Sequence, residues 1–97
     1  MRERDIEAYL VRQARAAGGE VRKVQWIGRH GAPDRLLMLP VGIRAGRYGG
    51  VRTIWVELKA PGKKASAQQQ REHTRMATMG QIVVVIDSID GVNALLA

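Results

Sequence analysis

The sequence predicts an α/β domain in which a mixed sheet of about four strands is flanked by helices. Three observations carry this. Val51 to Lys59 (VRTIWVELK) alternates an apolar face of Ile54, Val56 and Leu58 with a face bearing Trp55, Glu57 and Lys59, as in a central strand covered on both sides. Ile82 to Ile86 is a continuous run of Ile and Val, and β-branched side chains pack well on a pleated surface. Two stretches, Glu3 to about Ala17 and Ser66 to about Met79, carry helix signals instead. A chain of 97 residues supplies one modest core, so residues 1–97 are expected to form a single domain.

In the first helix Ile6, Leu10, Ala14 and Ala17 recur at helical spacing, and Gly18-Gly19 ends the run. Glu7 falls at the edge of the apolar stripe, beside Val11 and Ala14, a position that suits either a surface glutamate or an acid reaching a site. Glu20 to Trp26 alternates and reads as a partly exposed first strand. Ile27 to Pro33 is loop, where Gly28, Arg29, His30 and Gly31 either shape a turn or let a phosphate approach the backbone. Gly31-Ala32-Pro33-Asp34 then delivers a carboxylate to the start of a second strand, Leu36 to Pro40. Val41 to Gly50, with four glycines, Arg44, Arg47 and Tyr48, reads as a hairpin connection. It either simply reverses the chain or follows a nucleic-acid backbone with Tyr48 as a stacking surface.

After the central strand, Ala60-Pro61-Gly62-Lys63-Lys64 breaks regular structure. Ser66 is a good N-cap for the next helix, which Gly80 closes and which points Met76 and Met79 to the core. Gln69 stands three residues past Ser66 and completes a capping box, a structural role available to it whether or not it has another. The run Ile82 to Ile86 is expected to be covered on both faces, and Ser88 to cap a short helix through Val92, Leu95 and Leu96.

Net charge is +7 and unevenly placed: residues 1–59 hold twelve Lys and Arg against six Asp and Glu, residues 60–97 four against three. Basic charge around a few acids fits a polyanionic partner, with Arg29, Arg44, Arg47, Lys63 and Lys64 as candidate phosphate contacts, although basic charge also serves solubility. No apolar run is long enough to span a bilayer, and Met1-Arg2-Glu3-Arg4-Asp5 lacks the apolar segment of a signal peptide, so a cytoplasmic protein without membrane partners is expected. The absence of cysteine excludes disulfides and thiolate zinc sites, and His30 and His73 alone cannot complete a structural zinc site. Four aromatic residues and no phenylalanine give poor support to a base-stacking, RNA-binding sheet.

The chemistry concentrates at the end of the central strand. Glu57 and Lys59 emerge on one side, about 6 to 7 Å apart at Cα. Alone they would make an ion pair at a strand end. With Asp34 at the start of a neighbouring strand, two acids and a lysine could converge, and hard oxygen ligands of this kind, one or two carboxylates plus substrate phosphate oxygens, are those Mg²⁺ takes. A lysine adds positive charge beside the reacting phosphate.

Pro33-Asp34 followed, after a connection, by Glu57-Leu58-Lys59 resembles the PD-(D/E)xK nuclease superfamily. The likeness narrows to its virus-type replication-repair nuclease (VRR-NUC) branch on Glu7, Gly31-Ala32-Pro33-Asp34, Val56-Glu57-Leu58-Lys59-Ala60-Pro61-Gly62, Ser66-Ala67-Gln68-Gln69 with His73, and Gly80 before the Val-rich strand. That resemblance covers most of the chain and implies a restriction-endonuclease-like core of the standalone bacterial or phage form. It implies a homodimeric, metal-dependent DNA endonuclease acting on branched DNA such as four-way (Holliday) junctions in replication, repair or recombination. By the same resemblance Asp34 and Glu57 bind Mg²⁺ or Mn²⁺ with the Leu58 carbonyl, Glu7 stands behind them or reaches the metal through water, Lys59 acts on the nucleophilic water, and Gln69 positions water or substrate. Glu72 departs from the pattern, since relatives often carry tryptophan there. A non-catalytic basic nucleic-acid-binding module is the rival reading; it explains the charge but not the acids gathered beside a lysine.

Overall fold

Helix α1 (Glu3–Ala16) opens the chain and is followed by strands β1 (Glu20–Lys23), β2 (Arg35–Pro40) and β3 (Val51–Leu58). Helix α2 (Ala67–Thr78), strand β4 (Ile82–Ile86) and helix α3 (Ile89–Leu96) complete it. The structure, a computed structural model, describes residues 1–40 and 50–97. The connection that carries Arg44, Arg47 and Tyr48 lies outside the described residues.

The four strands form one sheet in the order β1-β2-β3-β4, the first two pairings antiparallel and β3–β4 parallel. A parallel pair needs a crossover, and α2 is that crossover. The expected α/β architecture with a mixed four-stranded sheet is therefore the one observed. Pleat parity then sorts the side chains. Ile54, Val56 and Leu58 of β3 register with Leu37 and Arg35 of β2 and with Ile82, Val84 and Ile86 of β4, on the face that α1 and α3 cover. Ile6, Leu10 and Ala14 of α1 and Val92 of α3 close this core, and the Tyr9 hydroxyl donates to Asn93 Oδ1 at 2.6 Å, tying the two helices together. The opposite face carries Trp55 and Glu57 and receives α2, whose Met76 and Glu72 are buried.

Element ends follow local chemistry. Gly18 takes φ +83°, a left-handed value suited to glycine, just past the end of α1. Strand β1 stops at Lys23 rather than Trp26: after the Val24 N–H donates to the Asp34 carbonyl, the next residue across is Pro33, which has no N–H to give. Ser66 Oγ accepts from the Gln69 N–H at 3.1 Å while Gln69 Oε1 accepts from the Ser66 N–H at 2.9 Å, so the capping box is formed as the spacing predicts. Ser88 likewise caps α3, its Oγ accepting from the Gly91 N–H at 2.9 Å.

Two expectations about burial are corrected. Met79 is 67% exposed because α2 ends at Thr78 and Met79, at the cap, has turned off the buried stripe that Met76 occupies. Strand β4 is not covered throughout: Ile82 and Val85 are 44% and 42% exposed, since β4 is an edge strand paired to β3 alone.

Candidate active site

The antiparallel register pairs Arg35 with Val56, so one step further along the ladder Asp34 comes opposite Glu57. Directly opposed residues put their side chains on one face, within reach of each other. Asp34 and Glu57, 23 positions apart in the sequence, thus become neighbours at one end of the sheet, on the α2 face. The turn that brings Asp34 there is held against α2. Gly31 has φ +84°, and a Cβ on it would lie 2.9 Å from the Gln68 carbonyl oxygen, so only glycine lets the Gly31-Ala32-Pro33 segment approach the first turn of that helix so closely. Pro33 is fully buried and its carbonyl accepts from Trp26 Nε1 at 2.8 Å.

Glu57 is a carboxylate in an awkward place. It is only 8% exposed, and its Oε1 is buried without a hydrogen-bond partner. Burial, with the charges of Asp34 and Glu3 adding to it, pushes its pKa from 4.5 up to about 7, against the opposing pull of Lys59 and Arg35. Lys59 is therefore near enough to act on the Glu57 charge, as the strand alternation predicts. Facing Glu57 from α2 is His73, whose Nε2 lies 3.4 Å from Glu57 Oε1 and is likewise buried and unpartnered. Burial and the nearby Lys59 charge hold the imidazole below its ordinary pKa, with Glu72 opposing them, a shift that favours its neutral form.

Arg35 organises the other acids. It belongs to the α1 face, where it pairs with the Glu7 carboxylate, and its Nη1 lies 2.8 Å from Asp34 Oδ1. Burial disfavours the charged guanidinium, but Glu7 and Asp34 outweigh it and raise its pKa further. Glu7 is thus connected to Asp34 through a cation, while the α1 carboxylate whose charge reaches Glu57 is Glu3, one turn earlier. Among the described residues, no three His, Asp or Glu side chains stand ready-made as a metal's ligand set. The donors nevertheless fit a divalent cation: a buried, unpartnered carboxylate oxygen on Glu57 and, across the ladder from it, the half-exposed carboxylate of Asp34.

The remaining sequence candidates spread around this centre. Leu58 packs its side chain into the core. The Gln69 amide oxygen is engaged in the cap of α2, which leaves its NH₂ for any other contact. Arg29 lines a groove of about 670 Å³ with Lys23, Trp26 and Asp34, so two cations overlook the approach to Asp34. Lys63 and Lys64 are exposed on the turn after Lys59. Glu72, the position that departs from the resembled pattern, is 2% exposed and paired with Arg29 at 3.4 Å and Arg75 at 3.1 Å. It shares a pocket of about 280 Å³ with Trp26, Trp55 and Met76.

Sequence reasoning missed Arg35 and Glu3 as members of the constellation and left His73 without a role. The only hint for Arg35 was its position directly after Asp34, and nothing in the spacing of β3 and α2 signals that His73 meets Glu57.

No family model matches the chain. A solved structure described as a VRR-NUC domain superposes with a TM-score of 0.77 at 35% sequence identity, over 97% of this chain and 92% of that one. A protein of Acyrthosiphon pisum secondary endosymbiont phage 1, named "Putative nuclease p44", is 43% identical over 90 residues, 93% of this chain and 87% of its own length. Likeness at this identity along nearly the whole length joins the acids at the strand ends and the β-α-β crossover beside them: the chain belongs to the VRR-NUC (virus-type replication-repair nuclease) family.

Proposed function

We propose that the protein is a metal-dependent DNA endonuclease that hydrolyses phosphodiester bonds, with branched DNA such as four-way junctions as its substrate. The observation that carries this reading is Glu57: a buried carboxylate with an unpartnered oxygen, set across a β-ladder from Asp34 and beside Lys59. A polar group left in that state costs stability, so it fits a cation better than it fits a structural role. The nuclease named among the relatives and the family itself support the same chemistry.

Asp34 and Glu57, with the Leu58 carbonyl between Glu57 and Lys59, would hold Mg²⁺ or Mn²⁺. Such an ion supplies Lewis-acid stabilisation of charge on the phosphate. Lys59 brings a positive charge to the same face as Glu57, where it stabilises the charge that develops on the phosphoryl oxygens and orients the attacking water. Arg35, locked between Glu7 and Asp34, fixes the Asp34 side chain and keeps Glu7 behind it. Gln69 meets water or substrate through its NH₂ while its oxygen holds the helix cap. Lys23 and Arg29 in the groove, Lys63 and Lys64 on the turn, and Arg44 and Arg47 supply backbone contacts that carry no base information, with Tyr48 as a stacking surface.

Paired incisions on a four-way junction suit a two-fold dimer, and the exposed Ile82 and Val85 of edge strand β4 offer apolar surface for a second copy to cover. Where the protein works follows from its substrate, DNA in the cytoplasm of a bacterium; among the described residues no helix is long and apolar enough to cross a membrane. The test is cleavage of labelled linear, flap and four-way DNA in Mg²⁺, Mn²⁺ or EDTA. The proposal expects cutting of the four-way substrate that EDTA stops. Binding without cleavage in either metal would instead make the chain a non-catalytic binding module.

A further inference from the structure

The meeting of Glu57 and His73 is the least expected feature of the molecule. The two side chains come from different elements, β3 and α2, and are only 10% and 12% exposed. Their facing atoms, Glu57 Oε1 and His73 Nε2, are both without hydrogen-bond partners and stand 3.4 Å apart. The arrangement is fixed by the fold: α2 is capped by Ser66 and abutted by the Gly31 turn, and β3 lies inside the sheet. Two unpartnered polar atoms converging in a buried place are suited to share a cation or a proton.

A divalent ion suits the spacing. Two adjacent ligands of an octahedral ion, each about 2.1 Å from it at right angles, are about 3 Å apart, within a few tenths of an ångström of the observed separation. The identity of the second donor matters as well. An imidazole nitrogen is a softer ligand than a carboxylate oxygen and favours first-row transition ions over Mg²⁺.

Resting on the metal site proposed above, we infer that His73 Nε2 is a direct ligand of the cation held by Asp34 and Glu57, so that this nuclease site prefers Mn²⁺, Co²⁺ or Ni²⁺ to Mg²⁺. Glu57 and His73 are the preset half of the site. Asp34, half-exposed and tethered through one oxygen to Arg35, supplies the adjustable half.

The test uses untagged full-length protein without DNA, titrated with Mn²⁺ and read by electron paramagnetic resonance, with pulsed detection of ¹⁴N coupled to the bound ion. The chain has two histidines, so His30→Gln leaves His73 as its sole imidazole. Nitrogen modulation should persist in wild type and His30→Gln and vanish in His73→Gln, where Mn²⁺ affinity should fall at least about ten-fold. Competition by Mg²⁺ should change much less. Should His73→Gln fail to fold, the ¹⁴N signal of His30→Gln still decides the matter. Bound Mn²⁺ without ¹⁴N coupling, or the same affinity in folded His73→Gln, would overturn the role of His73, and the carboxylate site would survive if Glu57→Gln still weakened binding. Failure of wild type to bind Mn²⁺ at all, or binding that Glu57→Gln leaves untouched, would overturn the proposed metal site together with this inference.

Discussion

The two faces of the sheet are built on opposite principles. On the α1 and α3 face, Leu10, Leu37, Ile54, Val56 and Val92 are fully buried and apolar, so burial there stabilises with nothing left unsatisfied. On the α2 face, Glu57 of β3 and Glu72 of α2 are buried, and α2 brings His73 against an unpartnered oxygen. Strand β3 serves both: its even positions, Ile54 to Leu58, feed the core, and its odd positions, Trp55 and Glu57, with Lys59 just past its end, feed the chemistry. A domain of this size has no second core to fall back on, and the alternation of one strand lets one face keep its apolar core, with the paired Arg35 and Glu7 as its charged members, while the other carries unpartnered polar groups.

That contrast breaks most visibly on the apolar side. Ile54→Ala removes a fully buried side chain facing α1 and should cost about 2–5 kcal/mol, lowering the urea midpoint and taking activity down with the folded fraction. On the other face, Asp34→Asn should reduce cleavage on the order of 10²–10³-fold, judged from the loss of other preorganised charge-stabilising groups, and leave the denaturation midpoint nearly unchanged because Asp34 is half exposed. Activity lost in proportion to stability in Asp34→Asn would erase the distinction between the faces. The smallest change expected is at Ser66→Ala, which removes the cap of α2 and should cost about 1 kcal/mol. Its rate at saturating DNA, below the melting transition, should stay near wild type if the cap is purely structural.

Much of this division was legible in the sequence because it is written in period and spacing. Ile54, Val56 and Leu58 against Trp55, Glu57 and Lys59 is a two-residue alternation that a strand converts directly into two faces. Ser66 and Gln69 specify their cap through local hydrogen bonds alone, and Pro33-Asp34 marks the turn into β2. What escaped was set by tertiary arrangement. Whether Ile82 to Ile86 is central or at an edge depends on strand order, and a Val-rich run reads alike in both places. The register of β2 on β3 decides that Asp34 opposes Glu57, and the docking of α2 decides that His73 does the same from above. Arg35 looked like one more basic residue in a basic chain until burial placed it between Glu7 and Asp34.

The most direct test of the division is the stability of metal-free Glu57→Gln followed with pH beside its cleavage. In the wild type the folded-state pKa of Glu57 is raised to about 7 from 4.5. The folded state then binds this proton more tightly than the unfolded chain, so the stability it contributes is full below pH 4.5 and is lost as pH rises through 7. The difference is worth about 3 kcal/mol on the order-of-magnitude scale of 1.36 kcal/mol per pKa unit. Glu57→Gln, which cannot ionise, should match wild type at pH 4.5, exceed its melting temperature at pH 8 in EDTA, and fail to cut DNA in Mg²⁺ or Mn²⁺. A variant that is less stable than wild type at pH 8, or one that still cleaves, would contradict the account.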